Sequence, residues 1–275
     1  MADESLARPF YTVLVLAFVC SALVAGAAVG LRPKQEENRD LDRKKHVLHA
    51  AGLYDKSKSI EQMFATIDIK VVELASGSYV PAETMRPEGY QQLKAALSDD
   101  GGRALEASID RARIRRQENY SLVYLVKDGD RVSQYILPVR GKGLWSTMYA
   151  YVAVEGDLST IRGVSFYEHG ETPGLGGEIE NPAWQSGWRG KKIYDQAGGV
   201  GLSFAKGKAA AEGPAKDYLI DGLSGATITT QGVDKLMEFW FGEHGFKTFF
   251  EKLRQAQPTG ATVPKSSLPG GDIHG

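Results

Sequence analysis

Leu122-Val123-Tyr124-Leu125-Val126-Lys127-Asp128-Gly129-Asp130-Arg131-Val132-Ser133-Gln134-Tyr135-Ile136-Leu137-Pro138-Val139 decides the fold class. Two apolar runs, 122–126 and 132–139, flank Lys127-Asp128-Gly129-Asp130, and Asp-Gly between such runs is a hairpin signal. Residues 148–154 and 161–167 flank Glu155-Gly156-Asp157 in the same way. Turns this short join antiparallel strands, because a parallel crossover needs about a dozen residues or more. Outside the hairpins, 91–97 and 106–116 carry helical patterning, as do 233–241 and 246–253. Phe239, Trp240, Phe246, Phe249 and Phe250 of the last two segments are core candidates. No internal repeat is present. The expected class is α+β, an antiparallel β-sheet with packed helices, preceded by one N-terminal transmembrane helix.

The charge balance, 33 Lys+Arg against 34 Asp+Glu, leaves a formal charge of −1 over 275 residues. A nucleic-acid binder would show a basic excess, so no nucleic-acid partner is expected. The one cysteine, Cys20, sits in the N-terminal apolar stretch, which removes disulfides, Cys-based zinc and iron–sulfur clusters from the rest of the chain. Residues 10–31 carry no charge and are long enough to cross a bilayer as one helix. A cleaved signal peptide, with Ala25-Gly26-Ala27 as its cleavage site, is the rival reading. The long apolar run and nearly neutral leader (Asp3, Glu4, Arg8) favour a retained anchor. Ala22, Gly26 and Gly30 recur every four residues, the spacing at which helix backbones approach within a membrane. Arg32, Lys34, Arg39, Arg43, Lys44 and Lys45 follow the span, and by the positive-inside rule alone the large domain would be cytoplasmic.

Asp221-Gly222-Leu223-Ser224-Gly225-Ala226-Thr227 carries the chemistry. Small residues lead into a threonine hydroxyl, and Val233, Leu236, Met237 and Trp240 then follow at i, i+3, i+4 and i+7. Thr227 therefore stands near a helix start, where free N–H groups and the positive dipole end favour a phosphate. No adjacent base activates its hydroxyl, so it fits an attachment point better than a nucleophile. Thr259-Gly260-Ala261-Thr262 repeats the core tetrapeptide, but Ala256 stands where Asp221 stands in the first copy. That second copy lies in a Pro/Gly/Ser/Thr-rich tail, 255–275, expected to be disordered.

The heptad resembles the flavin-attachment motif of the FMN-binding domain family, Asp-x-x-Ser/Thr-Gly-Ala-Thr. Gly143-Leu144-Trp145-Ser146 and Glu171-Thr172-Pro173-Gly174-Leu175-Gly176 resemble two further segments of that family, in family order. The resemblance implies covalent FMN, joined by a separate flavin transferase through its phosphate to Thr227. It also implies a soluble domain outside the cytoplasm, against the charge pattern, and we side with the resemblance. Within the family, a single anchor and the Gly-Leu-Trp-Ser segment most resemble an anchored subunit of the sodium-translocating NADH:quinone oxidoreductases. That implies a bacterial inner membrane, other redox subunits as partners, one-electron relay coupled to sodium export, and NADH and ubiquinone sites on other chains. The expected division is 1–9 cytoplasmic, 10–31 transmembrane, 32–60 tether, 61–254 periplasmic FMN-binding domain and 255–275 tail.

For such a site the residues divide the work as follows. Thr227 bears the phosphoryl group, with Asp221, Ser224, Gly225 and Ala226 completing the motif. Lys206 is a candidate phosphate contact or an ordinary surface lysine. Trp145 and Leu175 are candidates to pack against the ring, Trp145 being equally a core residue, and Gly174, Gly176 and Gly177 allow close backbone approach. Glu171 and Thr172 are candidates to hydrogen-bond ring edges. Asp221 supports its loop or is recognised by the transferase. Trp184 and Trp188 are packing residues. His169 beside Glu171 lacks further ligands at metal spacing in His46, His49, His244 or His274, so no metal is expected, and no catalytic acid, base or nucleophile either. Three alternatives remain: the G subunit of an Rnf electron-transport complex, a tethered binding or assembly module without cofactor, and a hydrolase using Ser224 or Thr227.

Overall fold

In the computed structural model, residues 7–210 and 212–256 are described. The second tetrapeptide, Thr259-Gly260-Ala261-Thr262, and the tail from 257 onward lie outside the described residues, as do 1–6. In chain order the elements are α1 (Ala7–Ala51), α2 (Ile60–Phe64), β1 (Ile67–Glu73), β2 (Ser78–Val80), α3 (Gln92–Leu97), β3 (Gly102–Ala104) and β4 (Arg116–Glu118). Then come β5 (Tyr120–Asp128), β6 (Arg131–Lys142), β7 (Thr147–Glu155) and β8 (Ile161–Glu168). A 3-10 turn (Gly176–Glu180) precedes α4 (Pro182–Ser186), β9 (Ser203–Phe204), β10 (Leu219–Ile220), α5 (Thr227–Phe241) and α6 (Lys247–Ala256). Gln255 and Ala256, assigned to the tail from sequence, close α6.

Chain contacts divide the protein between Lys44 and Lys45. The described part of the first unit is α1 as far as Lys44, apolar and long enough near its start to cross a membrane, with Phe10, Leu14, Phe18 and Leu23 all more than half exposed. The second unit begins inside the stretch expected to be a tether. Val47, Leu48, Ala50 and Ala51 are no more than 1 % exposed, because these four apolar residues pack against the sheet. Gly163 in β8 makes room for them: a Cβ there would stand 2.5 Å from the Ala50 carbonyl oxygen.

Both hairpins form, with β5 pairing antiparallel to β6 and β7 to β8. They sit side by side in a sheet ordered β2-β1-β5-β6-β7-β8, every pair antiparallel. The strands read as nearly unbroken apolar runs because both faces of the sheet are covered. Val123, Leu125, Tyr135, Leu137, Val139, Met148, Ala150 and Val152 share one core with Val233, Leu236, Met237 and Trp240 of α5 and Phe249 and Phe250 of α6. Alternate residues Tyr124, Ile136, Tyr151 and Ala153 share the other with the end of α1 and Met63 of α2. This period of two across a doubly covered sheet gives each strand its register, since a slip of one residue would exchange the two cores.

The expected helix at 106–116 is absent. One turn starts, Asp110 N–H donating to Glu106 O at 3.0 Å, and then stops. The Asp110 carboxylate instead accepts from the Ile114 and Arg115 N–H groups at 2.8 and 2.7 Å, taking donors that a helix would have sent to carbonyls four residues back. Arg113 and Arg115 adopt positive φ, and the chain turns into β4, which pairs with β3.

Candidate flavin site at the start of α5

The three motif segments meet at one end of the sheet. The turn between β6 and β7 closes with Gly143 N–H donating to Ser146 O at 2.8 Å and thrusts Trp145 outward, 65 % exposed. Its indole N–H donates to Thr172 Oγ1 at 3.1 Å, and Lys142 Nζ donates to its carbonyl at 2.8 Å. Trp145 is therefore no core residue. Thr172 opens the next segment, where its carbonyl accepts from the Leu175 and Gly177 N–H groups at 3.1 and 2.9 Å. Gly174 there has φ +74°, a left-handed conformation that glycine adopts without strain. Leu175, 44 % exposed, reaches the third segment: its Cδ2 lies 3.1 Å from where a Gly225 Cβ would be.

Gly225, at φ +71°, turns the third segment into α5, and Ala226 is the N-cap. Alanine supplies no side-chain cap, so the first N–H groups of a fifteen-residue helix are left to other acceptors. Thr227 and Ser224 are exposed beside them, as is Ile228. An exposed hydroxyl at an uncapped helix start, next to exposed Trp145, Leu175 and Ile228, fits a flavin mononucleotide in both halves: an anion cradle and an apolar surface for the ring.

Behind this face, polar groups that sequence reasoning passed over hold the loop. Thr230 Oγ1 accepts from Leu223 N–H and donates to Ala226 O, each at 3.1 Å, bracing the turn that presents Thr227. Thr230→Val should lose both bonds and about 1–2 kcal/mol of stability, to be measured from urea unfolding midpoints. Gly232 brings α5 onto the end of β6, since a Cβ there would stand 2.5 Å from Lys142 O. The available signal was the pair Thr229-Thr230 itself, since short polar β-branched residues are poor helix formers unless their hydroxyls have partners.

Glu171, a candidate to hydrogen-bond a ring edge, turns its carboxylate inward onto the protein. It is 5 % exposed, and its Oε1 accepts from Trp145 and Ser146 N–H at 2.9 and 3.3 Å. Its Oε2 accepts from Leu144 N–H at 3.1 Å and Thr229 Oγ1 at 2.6 Å. A carboxylate offers about four lone-pair sites, so none remains for a ring. Burial pushes its carboxyl upward, but the hydrogen bonds from Thr229, Trp145, Ser146 and Leu144 outweigh this and hold it below its ordinary value. The ionised group therefore contributes stability above the ordinary carboxylate range, lost as pH falls through the lowered value.

Asp221 supports its loop: its Oδ1 accepts from Ala209 N–H at 2.7 Å and its carbonyl from the Trp184 indole N–H at 2.8 Å. Lys206 lies in the same neighbouring loop, exposed, one residue from Gly207, whose carbonyl accepts from Gly222 N–H at 2.8 Å. Trp188 is fully buried, and Trp184 stacks on Phe204 at 6.3 Å between ring centroids. His169 Nδ1 accepts from Glu171 N–H at 3.1 Å, and Nε2 stands 2.9 Å from Glu180 Oε1. No group of three or more potential metal ligands occurs among the described residues.

The FMN-binding domain family matches residues 143–242, a span that contains all three segments. Among curated proteins, the C subunit of the Na(+)-translocating NADH-quinone reductase from Pseudomonas aeruginosa is 45 % identical over 259 residues, covering 93 % of this chain and 98 % of that one. The protein of the same name from Yersinia pestis is 42 % identical, covering 92 % and 95 %. Among solved structures, Shewanella oneidensis NqrC aligns with a TM-score of 0.71 at 34 % identity, covering 80 % of this chain and 99 % of that chain.

Proposed function

This chain belongs to the NqrC family, the C subunits of the Na(+)-translocating NADH-quinone reductases, and contains an FMN-binding domain, and from that premise we propose that it carries FMN esterified through its phosphate to Thr227. The observation that carries the reading is the exposed Thr227 at the uncapped start of α5, with exposed Leu175 against the neighbouring Gly225 and exposed Trp145 bonded to Thr172 of the same loop as Leu175. In this reading the N–H groups of the first turn of α5 cradle the phosphoryl oxygens. Ser224, Gly225 and Ala226 shape the approach, and Gly176 lets the 172–177 loop close against α5. Asp221 holds the 205–209 loop, with Lys206 beside the phosphate. Thr172 orients the Trp145 indole.

Bound FMN would supply one-electron redox chemistry, relaying electrons within the complex in step with sodium export. The protein contributes attachment, orientation and exclusion of water rather than acid, base or nucleophile. Residues 10–31 anchor the chain in the bacterial inner membrane with the flavin domain on the periplasmic side, where a flavin transferase acts on Thr227. The other subunits of the reductase are its redox partners. Identity of 45 % along nearly the whole chain favours this reading over the Rnf G subunit. Exposed aromatic and aliphatic side chains around an uncapped helix start favour it over a module without cofactor.

Mass spectrometry of the chain purified from its native host tests the proposal. The peptide containing Thr227 should carry the added mass of FMN, and an unmodified peptide would refute the attachment.

A further inference from the structure

The geometry points to Glu171 as a positioning residue: its carboxylate locks the turn bearing Trp145 and the first turn of α5 into one rigid unit without touching the flavin. Leu144, Trp145 and Ser146 present three consecutive N–H groups to one buried acid, and Thr229 presents its hydroxyl from the helix. Thr227 and Thr229 stand two residues apart, about 200° around the helix, so the inward hydroxyl is held while the outward one stays free. Two glycines are shaped around the clamp. A Cβ on Gly143 would stand 2.6 Å from Glu171 Oε1, and one on Gly176 would stand 2.5 Å from Thr229 Oγ1. The loop carrying Glu171 returns through Thr172 to the Trp145 indole, so both ends of the tryptophan are tied to neighbouring residues of one loop.

The consequence concerns exposed groups. Trp145 is 65 % exposed and Leu144 43 %, so solvent-facing side chains ride on a backbone turn pinned from beneath by a charge. An isolated turn of this kind would sample many orientations. A charge-assisted network removes that freedom before any ligand arrives, and pre-ordering lowers the entropy lost on binding. The effect on a Thr227-borne flavin rests on the functional reading above; the clamp itself does not.

Amide exchange and flavin spectroscopy on the full-length chain test the two parts separately. In a Thr227→Ala background, which needs no flavin, the 144–146 amides should exchange slowly in the parent. Glu171→Gln should accelerate them by about tenfold or more, as expected for losing bonds to an ionised acceptor. Thr229→Val should accelerate them less, Thr229→Ser should restore the parent rate, and the Glu171→Gln/Thr229→Val pair should fall short of additivity. In the flavin-bearing chain, Glu171→Gln and Thr229→Val should shift the visible circular dichroism and midpoint potential in the same direction. Unprotected 144–146 amides in the parent, or amides indifferent to Glu171→Gln, would overturn the clamp. A flavin shift in Glu171→Gln with none in Thr229→Val would place the carboxylate on the ring and overturn the positioning role. A parent chain without flavin would refute the functional reading and leave the amide result standing.

Discussion

Thr227→Ala is expected to abolish covalently held flavin and, with it, quinone reduction by the assembled complex, while Thr262→Ala leaves both unchanged. An ester needs a side-chain oxygen, and alanine has none. The variant should remain folded, because Thr227 is exposed and the α5 N-cap bond pattern runs through Thr230 rather than Thr227. Surface substitutions away from caps and cores change stability by about 0.5 kcal/mol or less. Fluorescence that survives denaturation on a gel reads the covalent bond directly, and urea unfolding reads the fold. Thr227→Ser keeps a hydroxyl at the same helix position, primary where that of threonine is secondary, and should retain part of the signal. Retention of full fluorescence in Thr227→Ala with its loss in Thr262→Ala would move the site to the tail.

The second large effect is on stability. Glu118→Ala should destabilise the domain by about 3–5 kcal/mol, the cost of leaving a buried charge without its partner. The Glu118 side chain is fully buried and that of Arg140 is 9 % exposed, with Arg140 Nη2 standing 2.6 Å from Glu118 Oε2. Arg140 Nη1 and Gln92 Nε2 each donate to Glu118 Oε1 at 3.0 Å, and Arg140 Nη2 also donates to Arg116 O at 3.1 Å. The guanidinium lies 5.4 Å from the centre of the Trp240 ring, whose indole N–H donates to Arg140 O at 2.7 Å. Removing the acid leaves the guanidinium without its charged partner in a site that water scarcely reaches. Glu118→Gln keeps an acceptor and should cost less, and pairing Glu118→Leu with Arg140→Met should recover much of the loss, because two well-packed apolar groups need no partner. Chemical denaturation followed by tryptophan fluorescence separates these outcomes. Because Arg140 lies two residues before Lys142 in β6, the same lesion should loosen the turn that presents Trp145.

The two hairpins were legible because a turn is a local object. Asp128-Gly129 and Gly156 sit between runs whose composition already favours strand, and no end of β5 to β8 lies more than three residues beyond the expected range. The start of α5 was legible for the same reason: small residues, then an apolar helical period. The region around 106–116 was misread because its apolar spacing looks helical, while one aspartate carboxylate captures the backbone donors a helix would use. The end of α1 was hidden by its charged neighbours, since Val47, Leu48, Ala50 and Ala51 show their purpose only once a sheet face is there to receive them.

By itself, the sequence settled the α+β class, the apolar N-terminal span, the family and the three segments that would build a flavin site, all carried by residues close together along the chain. Tertiary structure alone decided what those segments do to one another. Glu171 binds partners 25 to 58 residues away, and its neighbours in sequence gave no hint of them. Turn and helix signals are local energies that a short window contains. A buried carboxylate acquires its role only when folding removes water and brings distant donors into reach.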